Sequence, residues 1–293
     1  MIIDCHAHVA RVMTGFWEPL RYGKLRDGGE PRQLFPPSFD PSASPPEVLL
    51  GYMDQAGVDM TFLVQHHMYG NQNELVLESI RRWPDRFRGF AYLGRMDQPD
   101  AADQLERLIA GGMTGLKIEL VSTLRLRPEF RFDGETEQPI FERLNQLGRP
   151  LVVDVNGAPL TVVPALQSIL DRYPRIHLLM CHVGGAGGEG WQERALVAKH
   201  PRGWVDLSAL PLLFGPDEEY PFPKAQEITR WTVEQFGADR VMLGTDYPPT
   251  LRSGTYQQLI DWGRRHCPFL TPAQRADIIG GTAERFLKVA TSA

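Results

Sequence analysis

Two histidines stand two residues apart in Asp4-Cys5-His6-Ala7-His8, at the end of a short apolar run. Side chains at i and i+2 of a strand project to the same face, so the two imidazoles converge on one point, a common start for a zinc or related metal site. A second group is Cys181-His182-Val183-Gly184-Gly185, where the glycines let a backbone or a ligand approach closely. A third is Gly244-Thr245-Asp246-Tyr247-Pro248, directly after Val241-Met242-Leu243. A carboxylate that closes an apolar strand is unfavourable unless it is paired, metal-bound or functional. Each group has an ordinary explanation of its own: a chance pair on a strand edge, a satisfied loop histidine, a helix-capping aspartate. All three nevertheless fall at the same end of their strands, which separate accidents would not arrange.

The elements that must position these groups follow from the apolar periodicity. Eight short runs rich in β-branched residues occupy 2–4, 60–64, 88–93, 114–118, 150–153, 176–180, 203–207 and 240–243. Between them lie stretches of helical period, among them 73–83, 101–110, 138–147, 162–173 and 228–236, where apolar residues recur three and four apart. Eight alternations of strand and helix predict a parallel sheet with crossover helices, closed into an α/β (β/α)8 TIM barrel rather than left as a doubly wound sheet. A single domain over 1–293 is expected. Residues 15–46, rich in Pro, Gly and charge, are too long for an ordinary strand-to-helix loop and are expected to form a lid-like insertion over the barrel mouth. Residues 211–223 form a second long loop, and 271–287 read as a closing helix.

Composition narrows the partners. With 293 residues, 42% of them hydrophobic, the chain can bury one large core, and a net charge of -5 with dispersed Lys and Arg builds no nucleic-acid footprint. No apolar run reaches the length of a membrane span and no leader pattern opens the chain, so a cytoplasmic protein with no membrane partner is expected. Three cysteines without CxxC spacing suggest reduced thiols rather than disulfides or a thiolate metal site. Cys5 and Cys181, each next to a key histidine, are expected on the opposite face, toward the helices. The partner is then a small molecule, and a homo-oligomer is compatible with the sequence.

The motifs DCHAH, CHVGG and LGTDYP resemble those of the amidohydrolase-related family, a branch of the amidohydrolase superfamily of metal-dependent hydrolase barrels. The resemblance runs over nearly the whole chain, through NELVLESIRRWPDRFRGFAYL, GLKIEL and GTAERFL. It implies a divalent metal held by His6, His8 and Asp246, zinc first and manganese second, with His182 as the imidazole that polarises the substrate or joins the ligands and Asp246 shuttling a proton. Where the family usually has a histidine at the end of strand 5, this chain has Asp154, with Asn156 two residues on. Asp154 therefore stands at a ligand position, and a metal-independent site stays open. The strand-2 stretch Val64-Gln65-His66-His67-Met68-Tyr69-Gly70-Asn71-Gln72-Asn73 is similar to the pattern of pyrone-dicarboxylate lactonases, which hydrolyse lactones without a metal. In such a site arginines hold substrate carboxylates in bidentate fashion, and Arg125, Arg127 and Arg252 are the candidates. Glu119, and His67 or its neighbour, are the expected mouth residues. Lys117, where some relatives carry a bridging lysine, reads as structural or substrate-facing.

These residues imply a hydrolase that activates water against a carbonyl, amide or lactone carbon of a small carboxylated molecule. The alternatives are a non-oxidative decarboxylase of a small aromatic or unsaturated acid, a metal-independent lactonase, and, outside enzymes, a ligand-binding barrel without turnover.

Overall fold

Strands buried on both faces read as continuous apolar runs, and parallel sheets covered by helices require them. The computed structural model, which describes residues 1–40, 43–215 and 218–291, contains eight such strands. In chain order the strands are β1 (Ile3–Ala7), β2 (Glu18–Pro19), β3 (Lys24–Arg26), β4 (Arg32–Gln33), β5 (Met60–Leu63), β6 (Phe87–Tyr92), β7 (Gly115–Glu119), β8 (Leu151–Asp154), β9 (Leu178–Met180), β10 (Gly203–Asp206) and β11 (Val241–Met242). The main sheet has the order β1-β5-β6-β7-β8-β9-β10-β11, with every pair parallel. It closes on itself: the Cys5 amide donates to the Leu243 carbonyl at 3.0 Å, the Asp246 amide to the His6 carbonyl at 2.8 Å, and the His8 amide to the Tyr247 carbonyl at 2.8 Å. The fold is the expected (β/α)8 barrel.

Alternation along the strands separates two apolar layers. Leu116, Ile118, Leu151, Val153, Leu178, Met180 and Val205 face the helices. Ile3, Met60, Phe62, Phe90, Val152, Leu179, Trp204 and Met242 fill the barrel interior. Phe286 of the last helix (Thr282–Thr291) plugs this interior, its ring 5.6 Å from Trp204 and 6.4 Å from Phe62. The C-terminal region is not one continuous helix, as the sequence suggested. Helix Pro272–Ala276 passes into a π segment at Asp277–Gly281 before Thr282–Thr291. The break lies where the chain start crosses it: a Cβ on Gly280 would sit 2.2 Å from the Met1 carbonyl oxygen.

Residues 15–46, two of which (41 and 42) lie outside the described residues, hold the antiparallel sheet β2-β3-β4. The segment leaves β1 and packs on the loops after β5, β7 and β11. Phe35 lies 6.0 Å from Tyr69 and Phe39 6.0 Å from Tyr247, ring to ring. A Cβ on Gly15 would fall 2.1 Å from the His67 carbonyl oxygen and 2.3 Å from that of Met68, so only glycine permits this approach. The second long loop, 211–223, begins inside a short helix, Leu210–Leu213, and its residues 216 and 217 lie outside the described residues. No helix among the described residues is long and apolar enough to cross a membrane.

Candidate active site

Regular alternation would place Cys5 and His6 on opposite faces of β1. Instead the pairing with β5 slips between Asp4 and Ala7, where three steps on β1 match two on β5. Cys5 keeps the inward parity of Ile3, and this bulge, a device that re-aims a side chain, turns His6 to the barrel side as well. Cys5 thus packs in the interior cluster by ordinary alternation, not toward the helices as expected from the sequence. Cys181 corrects the same expectation: it continues the inward parity of Leu179, and the backbone then turns left-handed at His182 (φ 54°) and Val183 (φ 51°) to keep His182 at the mouth. Asp246 is also left-handed, at φ 58°. Non-glycine residues in this region cost on the order of 1–3 kcal/mol each and cluster at functional sites.

The four residues with the strongest sequence signal come together at the C-terminal end of the barrel. His8 Nδ1 donates to the Val64 carbonyl at 2.9 Å, leaving Nε2 3.0 Å from Asp246 Oδ1. His6 Nε2 is 3.7 Å from the same oxygen, is buried and has no hydrogen-bond partner. The His182 ring centroid is 4.7 Å from that of His6, and its Nε2 lies 3.5 Å from Asp154 Oδ2. Ligand atoms of His6, His182 and Asp246 lie within 4.8 Å of one another. Asp154 is not in that group. It pairs with His182 and stands with His66 and Glu119 in a neighbouring one.

Burial and charge divide the imidazoles. Burial lowers His6 to about 4, against the pull of Asp206, so its ring is neutral at pH 7. Burial also opposes charge on His182, but Asp154, Asp246 and Asp206 together push it up to about 9. The three carboxyls are all held below their ordinary range despite burial: Asp154 chiefly by His182, Asp206 by His6, and Asp246 by its hydrogen bond with His8. Lys117, expected to be structural or substrate-facing, points into the interior and donates to Cys181 Sγ at 3.0 Å.

The remaining predicted residues are placed as follows. Both Glu119 carboxylate oxygens accept from the Ser122 amide at 3.1 Å, capping the helix Leu120–Leu126, and Oε2 lies 3.7 Å from His66 Nε2. His67 has both ring nitrogens engaged, with Thr123 Oγ1 at 3.0 Å and the Tyr92 hydroxyl at 2.6 Å. Its neighbour His66 is the one beside His8, 6.2 Å ring to ring. Asn156 is exposed, its amide donating to Asp154 Oδ1 at 2.9 Å. The three arginines already hold partners within the protein. Arg125 forks onto Asp27 and covers Phe16, Arg252 donates to the Gln33 carbonyl at 2.6 Å, and Arg127 lies buried between Glu137 at 2.9 Å and Glu129 at 3.1 Å. Arg125 and Arg252 thus tie the 15–46 segment to opposite sides of the mouth.

Sequence reasoning missed Asp206, Ser208 and Tyr69. Asp206 closes the apolar run Trp204-Val205, the same signal that singled out Asp246. Tyr69 stacks on His8 at 5.0 Å, its hydroxyl buried without a partner; nothing in its spacing marked it.

Comparison with known proteins places this geometry in a lineage. The amidohydrolase family model matches residues 3–289. The chain belongs to the amidohydrolase family. No curated protein matches this amidohydrolase in sequence. Among solved structures, it is similar to an amidohydrolase from Burkholderia multivorans with bound zinc, at 18% identity, TM-score 0.75, covering 98% of this chain and 99% of that one. It is similar also to a probable 2-pyrone-4,6-dicarboxylic acid hydrolase from Acinetobacter baumannii with bound citric acid, at 18% identity, TM-score 0.72 and coverage of 98% and 99%. A third is 5-carboxyvanillate decarboxylase from Sphingomonas paucimobilis, at 17% identity, TM-score 0.68 and 98% coverage of each chain. At these identities the likenesses speak for the shared barrel. The family makes the chain an enzyme, with hydrolysis and decarboxylation both compatible with its fold.

Proposed function

We propose that this amidohydrolase hydrolyses a carbonyl, lactone or amide carbon of a small carboxylated molecule, with water activated at Asp246. The observation that carries this is the buried, partnerless Nε2 of His6, facing the Asp246 carboxylate beside a charged His182. A divalent ion, zinc before manganese, fits these donors. Three carboxylates held ionised (Asp154, Asp206, Asp246) stand around two cations (Lys117, His182), a formal excess of one negative charge. His6, His8 and Asp246 would hold the ion, and Asp154 acts on this geometry as the partner of His182 rather than as a ligand. When bound, the ion supplies Lewis acidity and brings water toward ionisation near neutral pH.

The protein's own groups do the rest. Asp246, ionised at neutral pH, accepts a proton from the attacking water. The His182 imidazolium, held by Asp154, donates from Nε2 to the substrate oxygen as negative charge develops there. His66, Glu119 and Asn156 border the substrate. The 15–46 segment acts as a lid that excludes bulk water. Three buried, unpaired cysteines suit a reducing, cytoplasmic setting.

The test is turnover of a panel of lactones, amides and aromatic acids, with elemental analysis of the protein as purified. Asp246→Asn should lower kcat by about 10²–10⁴-fold, the range of general acid–base catalysis, with thermal stability retained, and His6→Ala should lose the bound metal. Undiminished turnover in Asp246→Asn would overturn the mechanism. Carbon dioxide as the product from an aromatic acid would assign the centre to decarboxylation.

A further inference from the structure

Asp206 lies at the end of β10 and accepts four hydrogen bonds. Its Oδ1 takes the His182 amide at 2.8 Å, the Ser208 amide at 3.1 Å and the Ser208 hydroxyl; its Oδ2 takes His6 Nδ1 at 3.0 Å. An ionised carboxylate can only accept, so each of these four groups donates to Asp206. Its bond to His6 requires hydrogen on His6 Nδ1. The single hydroxyl hydrogen of Ser208 is directed at Asp206, so toward His182 Nδ1, 2.8 Å away, the Ser208 oxygen can only accept. His182 Nδ1 therefore carries hydrogen as well, and the Ser208 carbonyl at 3.2 Å accepts from it too.

We propose that Asp206 is a positioning residue that sets the ring hydrogens of two imidazoles at once, His6 directly and His182 through the Ser208 hydroxyl, so that Nε2 of His6 faces Asp246 and Nε2 of His182 faces Asp154 at the reacting centre. Orienters of this kind fix the tautomer and direction of an imidazole. Here one buried carboxylate serves two rings on different strands, which couples them. The inference rests on His6 and His182 being the working imidazoles, but its readout does not depend on turnover.

The arrangement gives an asymmetric expectation for Asp206→Asn. Three donors converge on Oδ1, so the amide oxygen stays there, and the amide NH2 takes the place of Oδ2 opposite His6 Nδ1. His6 must then accept at Nδ1 and carry its hydrogen on Nε2, whereas His182 keeps its Nδ1 hydrogen. The experiment is nitrogen-15 and proton NMR of the full chain labelled at histidine, with His6→Gln and His182→Gln to assign the two rings. In the wild type both Nδ1 atoms should be protonated; in Asp206→Asn only His6 should switch. Titration with Zn²⁺ should show affinity lower by about 10–100-fold in the variant, as for lost orienters elsewhere. An unprotonated Nδ1 on either ring of the wild type would overturn the proposal even if the variant failed to fold. So would His6 retaining its Nδ1 hydrogen in a folded Asp206→Asn. Absence of hydrolytic turnover in a wild type whose two Nδ1 atoms are protonated would instead count against the hydrolytic mechanism alone.

Discussion

Arg127 separates two accounts of this barrel, because a substrate clamp and a structural ion pair respond oppositely to its removal. Its guanidinium is 9% exposed and Glu137 is 3% exposed, with 2.9 Å between them. Arg127→Met removes the charge while keeping an apolar stem of similar length, leaving the Glu137 carboxyl buried without its partner. Breaking one side of a buried pair costs about 3–5 kcal/mol. Glu129, the other partner, is 68% exposed and opens the network to water, so the lower end applies. A loss of about 3 kcal/mol corresponds to a fall in Tm of about 5 °C in a chain of this size, at about 2.1 cal/mol/K per residue. Arg127→Met combined with Glu137→Leu removes both charges and should return to within about 1 kcal/mol of the wild type, since replacing a whole buried pair by apolar groups is often neutral. The assays are thermal unfolding followed by circular dichroism and KM for whichever carboxylated compound is turned over. Tm unchanged in the single variant, with KM raised tenfold or more, would refute this reasoning and make Arg127 a free substrate contact.

Two further outcomes follow from the same geometry. Gly15→Ala places a methyl group against the His67 and Met68 carbonyl oxygens, so the 15–46 segment must lift. Limited proteolysis within it should accelerate and KM should rise more than kcat falls, and an unchanged digestion pattern would contradict the tight seat. Acid should destabilise the fold below about pH 6.5, because burial lowers His67 to about 4 and, with nearby arginines, His177 to about 4. A folded state that disfavours the proton keeps its full stability above the unfolded pKa and loses it as pH falls toward 4. Asp4, pushed up to about 6 by burial, works in the opposite sense and offsets part of this loss. His67→Gln should flatten the slope between pH 6.5 and 4 by at most about 3 kcal/mol over the window; denaturant melts at both ends of the window check it.

What the sequence made legible is what periodicity records. Seven of the eight barrel strands coincide with the apolar runs to within two residues, the usual uncertainty of element ends, while β1 runs three residues past its apolar run, and His6, His8, His182 and Asp246 gather at one mouth as their strand ends implied. Parity alone would also have chosen between His66 and His67: Met60, Phe62 and Val64 face inward, so His66 does too. Other features depend on exceptions to periodicity. No pattern announces the bulge that turns His6 inward beside Cys5, nor the left-handed backbone at His182. The arginines were legible as charges in mouth loops, but their partners Asp27 and Glu137 lie 98 and 10 residues away, and pairing at such range is invisible in a linear reading. The closing helix was broken by a contact with Met1, at the far end of the chain.

The slip in β1 also bears on transplantation. Asp4 is held from outside the barrel by the Tyr256 hydroxyl at 2.8 Å, Cys5 belongs to its interior, and His6 stands at the catalytic mouth. Three consecutive residues serve three separate compartments, which a regular strand cannot do. A His-Ala-His graft onto an unbulged strand of another barrel would carry the two imidazoles without the sealed floor beneath them. Deleting Cys5 or His6 would restore the regular pleat here and leave one inward position, to be filled by the thiol or the imidazole but not by both. The transferable unit is therefore the irregular strand with its partner β5, not the tripeptide.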